Sequence, residues 1–229
     1  MKTFKILGLL LSYPNKEVIA HYGELKKTIE TEKLLPSKSI KALNAFMGRQ
    51  QNSDLLDLQE EYVSLFDRGR SYCLHLFEHV HGESRDRGQA MVDLTSMYEE
   101  KGLIINSAEM PDYLPLFLEY LSLCDAEEAK HHLEDIAHII TTIGVKLKKN
   151  NHDYYHIFDS LEKLANIKVD NKIVEAALED LEKEDNSLDA LDKEWEEAAA
   201  FDGNNPQDDC NSCDVFPKAT EELKKMAGA

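Results

Sequence analysis

The stretch "DAEEAKHHLEDIAHIITTIGVKLKKN", residues 125–150, is the one whose reading decides the fold class. It keeps a helical pattern throughout, begins acidic, and ends in Lys146, Lys148 and Lys149. That polarity suits the dipole of one long helix, negative charge at its start and positive charge at its end. Working outward, "SAEMPDYLPLFLEYLSLC" (107–124) reads as a turn followed by a helix start. Asp112 can cap that helix, and Pro115 falls in its first turn, where the missing N–H costs nothing. On the other side, two shorter helices are expected over 154–165 and 171–183.

Helical spacing continues towards the N-terminus. In "RDRGQAMVDLTSMYEEKG" (85–102), Met91, Leu94, Met97 and Tyr98 make a stripe, and Gly102 is placed to end the helix. "SDLLDLQEEYVSLFD" (53–67) offers Ser53 as an N-cap, with Leu55, Leu58, Tyr62, Leu65 and Phe66 on one face. A helix after Pro36 turns Ile40, Leu43, Phe46 and Met47 inward. Another over about 15–31 carries Val18, Ile19, Tyr22, Leu25 and Ile29. The first helix, through Ile6 to Leu11, is stopped by Ser12-Tyr13-Pro14. No alternating strand pattern and no repeat of solenoid period stands out. The fold class is therefore all-α. A single-domain helical bundle of roughly eight or more helices is expected over 1–183.

The chain has 229 residues, 42% of them hydrophobic, which suffices for one sizeable core. Ten glycines and six prolines are too few for a turn-rich β fold. The formal net charge of −18 repels nucleic acid and anionic lipid and favours basic partners. No apolar run approaches the roughly 20 residues that span a bilayer. The N-terminal apolar run lacks a small-x-small cleavage site, and four cysteines are sparse for a disulfide framework. A cytoplasmic protein is expected, without membrane insertion. Beyond residue 183 the composition becomes acidic with scattered apolar residues. That gives a flexible, partly disordered tail over 184–229, with one helix near 188–200.

The periodicity fails in "RGRSYCLHLFEHVHGESRDRG", residues 68–88. Inside it His75, Glu78 and His79 spell H-x-x-E-H, an inverted zinc-protease signature. On an α-helix the two histidines would share a face, with Glu78 as general base. A third ligand would have to come from downstream, where Glu134, Asp135 and His138 are available. The structural alternative is a polar binding surface or packed, hydrogen-bonded histidines. Cys210-x-x-Cys213 sits among Asp208, Asp209 and Asp214, whose charges would raise a thiol pKa and make it a poor redox pair. No nucleophile elbow and no phosphate-binding loop is present.

Three segments carry a family resemblance: "LQEEYVSLFDRGRS" (58–71), "LHLFEHVHGESRDRGQAMVDL" (74–94) and "PDYLPLFLEYLS" (111–122). Together they resemble the respiratory nitrate reductase delta subunits. These are molybdenum cofactor assembly chaperones within the wider all-helical family of molybdoenzyme chaperones. "ILGLLLSYP" (6–14) fits as well, so the likeness covers residues 1–166. It implies a non-enzymatic cytoplasmic chaperone that holds no cofactor of its own. Its partner would be the apo catalytic (alpha) subunit of the reductase, bound chiefly through its N-terminal segment. Binding would keep that subunit competent for cofactor insertion and delay its docking to the membrane anchor. The proteins of molybdenum cofactor synthesis are a second class of partner, and the protein would act as a monomer or homodimer. The alternatives are a chaperone for another molybdoenzyme or, in a different class, a zinc hydrolase.

An irregular segment beside apolar helices can form a groove for an amphipathic peptide helix. For apolar contact the candidates are Leu65, Phe66, Leu76, Phe77, Met91, Tyr113 and Leu116. Glu61, Asp67, Glu78, Asp112 and Glu119 are candidates for basic groups on the peptide. His75 and His79 lie in the same client-facing segment, where Arg85 and Arg87 would brace the loop against acids. The acidic tail is a candidate competitor for the same groove.

Overall fold

The computed structural model describes residues 1–68, 71–80, 86–105, 109–166 and 171–183. Helix α1 (Lys2–Leu11) is apolar on most of its circumference, and Phe4, Ile6, Leu7, Leu10 and Leu11 are all buried. A helix that hydrophobic has to lie inside the bundle. It packs chiefly on α7 (Leu114–Leu123) and also touches α3 (Tyr22–Glu32) and α10 (Tyr155–Leu164). Ser12 ends α1 in an extended conformation two residues before Pro14. The single helix expected over 15–31 is instead α2 (Lys16–Ala20) and α3, broken at His21. There the ring Nδ1 takes the Glu17 carbonyl at 2.7 Å, and the His21 N–H turns to the Val18 carbonyl.

Helix α4 (Ser37–Asn52) buries Leu43, Phe46 and Met47 as its spacing predicts, with Ile40 partly covered. Helix α5 (Leu55–Tyr62) is capped by Asp54, whose carboxylate accepts from the Leu56 N–H at 2.8 Å. Ser53 is not the cap; its hydroxyl donates back to the Arg49 carbonyl. The chain then widens into a π-turn, Val63–Asp67, with Leu65 and Phe66 buried. Helix α6 (Asp86–Glu100) presents Met91, Leu94 and Tyr98 to the core. It ends in a Schellman motif: Gly102 has φ 78°, its N–H bonds the Glu99 carbonyl, and the Leu103 N–H bonds that of Tyr98.

The long helix read over 125–150 is two helices, α8 (Ala126–Asp135) and α9 (Ala137–Lys149), parted at the buried Ile136. No glycine or proline stands at the break. The cause is tertiary. Helix α8 buries Ala129 and Leu133 and packs on α7, whereas α9 packs on α10 and on α11 (Asn171–Lys183). The two halves thus pack on different neighbours. The dipole complementarity survives the break, because Asp125 caps α8 by accepting from the Glu128 N–H and the lysines close α9.

The architecture is all-α, as expected. Among the described residues the only β-type pairing is a single antiparallel bridge between His75 and Tyr113, and no helix is long and apolar enough to cross a membrane. The helix expected near 188–200, the rest of the acidic tail, and Cys210 and Cys213 lie outside the described residues.

Candidate functional site

The bridge between His75 and Tyr113 organises a corner of the molecule. The Leu76 N–H donates to the Asp112 carbonyl at 2.9 Å, and the Leu114 N–H donates to the Leu74 carbonyl at 2.8 Å. Asp112 is 0% exposed. Its carboxylate accepts from the Phe77 N–H at 3.1 Å and faces His75 Nδ1 at 3.2 Å. A buried carboxylate needs such donors. Asp112 therefore does not cap α7. Tyr113 occupies the cap position, and the Asp112 side chain reaches across the chain instead. This ties residues 74–77 to the start of α7. The Tyr98 hydroxyl fastens the same corner from α6 by donating to the Pro111 carbonyl at 2.8 Å.

The histidines differ electrostatically. Hydrogen bonding to Asp112 raises the His75 pKa, with burial opposing. Burial lowers that of His79, whose Nε2 donates to the Cys73 carbonyl at 2.8 Å. The H-x-x-E-H pattern does not lie on an α-helix. Leu76–His79 is one 3-10 turn, preceded by His75 in extended backbone. At about three residues per turn, positions i and i+4 do not share a face. Each ring already faces a protein acceptor, and Glu78 pairs with Arg87 at 2.6 Å. Among the described residues, no three His, Cys, Asp or Glu side chains are grouped to hold a metal ion.

Tyr113 links this corner to the aromatic core. Its hydroxyl lies 2.9 Å from that of Tyr62, which also donates to the Leu11 carbonyl at the end of α1. Burial pushes the Tyr113 phenol up to about 12 and the Tyr62 phenol higher still. Tyr62 packs at a tilt against Phe66, and Phe66 meets Tyr154 edge-on.

Beside the corner an open groove of about 160 Å³ runs between α1 and α7. Lys5, Gly8, Leu9 and Ser12 form one wall; their spacing puts them on one face of α1. The opposite wall has Tyr113, Pro115 and Leu116, with Glu109 and Glu119 as its acids. At Gly8 the two helices nearly touch, and a Cβ there would stand 2.8 Å from the Pro115 carbonyl oxygen. Lys5 Nζ meets Glu119 Oε1 at 2.6 Å.

The sequence candidates thus fall into groups. Tyr113, Leu116 and Glu119 line the groove. His75, Leu76, Phe77, Glu78, His79, Arg87 and Asp112 build the corner, with Leu76, Phe77 and Asp112 buried. Leu65, Phe66 and Met91 are buried in the core. Glu61 is paired with Arg49 at 2.9 Å, and Arg49 also meets Asp153. Asp67 is exposed; partial burial raises its carboxyl pKa, with the His75 charge opposing. Arg85 lies outside the described residues. Sequence reasoning missed Lys5, Leu9, Ser12 and Glu109. The available signal was Gly8 inside an apolar helix, which marks a close approach, flanked by polar Lys5 and Ser12 on its own face.

Residues 36–160 match the sequence model of the family described as nitrate reductase delta subunit. Over 84% of its length, the chain is 46% identical to the nitrate reductase molybdenum cofactor assembly chaperone NarJ of Escherichia coli strain K12, covering 81% of that protein. It is 40% identical to the probable nitrate reductase molybdenum cofactor assembly chaperone NarW of the same strain, over 95% of this chain and 89% of NarW. With the probable NarJ of Bacillus subtilis strain 168 it shares 31% identity, over 69% of this chain and 85% of that relative.

Proposed function

The chain belongs to the nitrate reductase delta subunit family, and from that premise we propose that it is a dedicated molybdenum cofactor assembly chaperone for a respiratory nitrate reductase. The observation that carries this reading is the 46% identity to a nitrate reductase assembly chaperone across most of both chains. The protein acts without catalysis, in the cytoplasm. It binds the apo catalytic subunit through that subunit's N-terminal segment, keeps it open for cofactor insertion, and delays its docking to the membrane anchor. The latched corner and the groove beside it are the client-binding face. Residues 1–183 are the working domain, and the acidic residues 184–229 extend it.

The geometry supports a binding role over a hydrolytic one. The ionisable groups of the corner are turned on one another: Asp112 on His75 and the Phe77 N–H, Glu78 on Arg87. The general base that the H-x-x-E-H pattern would need, Glu78, is held by Arg87, and the two histidines do not share a helix face. Affinity purification of the full chain from nitrate-respiring cells tests the function. The unassembled catalytic subunit should come with it, and the assembled membrane complex should not. Recovery of a different molybdoenzyme's catalytic subunit would reassign the client. Recovery of no molybdoenzyme subunit would overturn the reading.

A further inference from the structure

We propose that the groove between α1 and α7 is an anchor site for one apolar side chain flanked by a lysine or arginine of the same client peptide, and that Lys5 holds the place of that cation until the peptide arrives. This rests on the chaperone reading and specifies the chemistry of its client. The groove's volume of about 160 Å³ is close to that of an apolar cavity known to take a benzene-sized group, so it suits a leucine or phenylalanine side chain. Leu9, Tyr113, Pro115 and Leu116 supply apolar walls. The floor cannot collapse to fill the space, because α1 and α7 are already at backbone contact at Gly8.

Charge identifies the occupant. Two carboxylates, Glu109 and Glu119, line the groove with one cation, Lys5. Lys5 and Glu119 remain 52% and 37% exposed while paired. A pair so open to water contributes little and exchanges readily. An incoming lysine or arginine, held in place by a neighbouring side chain already in the groove, meets Glu119 at high effective concentration and displaces Lys5. Glu109 offers a second acceptor. The chain's own acidic segment beyond residue 183 has the wrong sign for this site.

Isothermal titration of the full chain with a synthetic peptide of the catalytic subunit's N-terminal segment tests the proposal. The double variant Glu109→Gln/Glu119→Gln should weaken binding about 5-fold at low salt and flatten its salt dependence. Lys5→Ala should tighten binding about 2-fold, because the stand-in cation is gone. Leu9→Ala/Leu116→Ala should weaken binding by about 10-fold or more, by stripping the apolar walls. Lys5, Glu109 and Glu119 are surface side chains, so thermal melts of the charge variants should match the parent. If the parent binds the peptide and all three variants bind as it does, the peptide docks elsewhere and the anchor proposal fails while the chaperone reading stands. Weaker binding by Lys5→Ala would overturn the stand-in role. A parent that fails to bind the peptide yet co-purifies with the catalytic subunit also sinks the anchor. Failure in both assays sinks the chaperone reading itself.

Discussion

At the residue scale, Asp112 and His75 are the most telling pair. A fully buried carboxylate survives because a backbone N–H and an imidazole both face it. The pair has a pH signature. Since Asp112 raises the His75 pKa in the fold, the imidazolium is favoured there over the unfolded chain. That stabilisation is fully present below the unfolded value of about 6.5 and is lost as pH rises through the higher folded value. His75→Gln should therefore cost more stability at pH 5.5 than at pH 9, read from urea unfolding at both pH values. Placing the variant on an Asp112→Ala background should shrink the difference, leaving only the smaller contributions of Glu109 and Glu78. An equal cost at both pH values would show that His75 contributes packing alone.

At the element scale, α1 and α7 carry the site. Their closest approach is set by Gly8, which replaces a side chain with the Pro115 carbonyl. Alanine is the better helix former by about 1 kcal/mol, so propensity alone makes Gly8→Ala stabilising. The structure predicts the reverse. A Cβ at 2.8 Å from a backbone oxygen forces the helices apart, and overpacking of that kind costs about 1–3 kcal/mol. Thermal unfolding should show a lowered midpoint, and an unchanged or raised midpoint would mean the helices can slide without penalty. The α8–α9 break teaches a related lesson. Residues 125–150 carry the signals of one helix, and its two halves are pulled apart by different neighbours.

At the scale of the whole molecule, the core is one continuous apolar cluster from Phe4 to Ala165, with α1 in its middle. Among the described residues, every buried member of that cluster precedes residue 166. A chain ending at Lys183 should therefore unfold with the same midpoint as the full chain, within about 2 °C. It sheds acidic residues, so its client binding should also depend less steeply on salt. A midpoint many degrees lower would mean that the acidic segment is part of the folded body.

The sequence by itself determined the all-α class and most helix positions, because apolar spacing reports which face of each helix must leave water. It also determined the family, through residues 58–71, 74–94 and 111–122, and the stops at Gly102 and before Pro14, where backbone sterics act locally. Only the tertiary structure decided how those pieces meet. It turned Asp112 from the helix cap its local sequence suggests into a buried acceptor for residues 75–77. It took the H-x-x-E-H pattern off any α-helix and split the long helix at Ile136. It also brought Lys5, Leu9 and Ser12 opposite Tyr113, Leu116 and Glu119, more than a hundred positions away in the chain. The physical reason is common to all four. Spacing along one helix encodes how much surface must be buried, but which partner buries it depends on contacts between segments remote in sequence, and no local pattern records those.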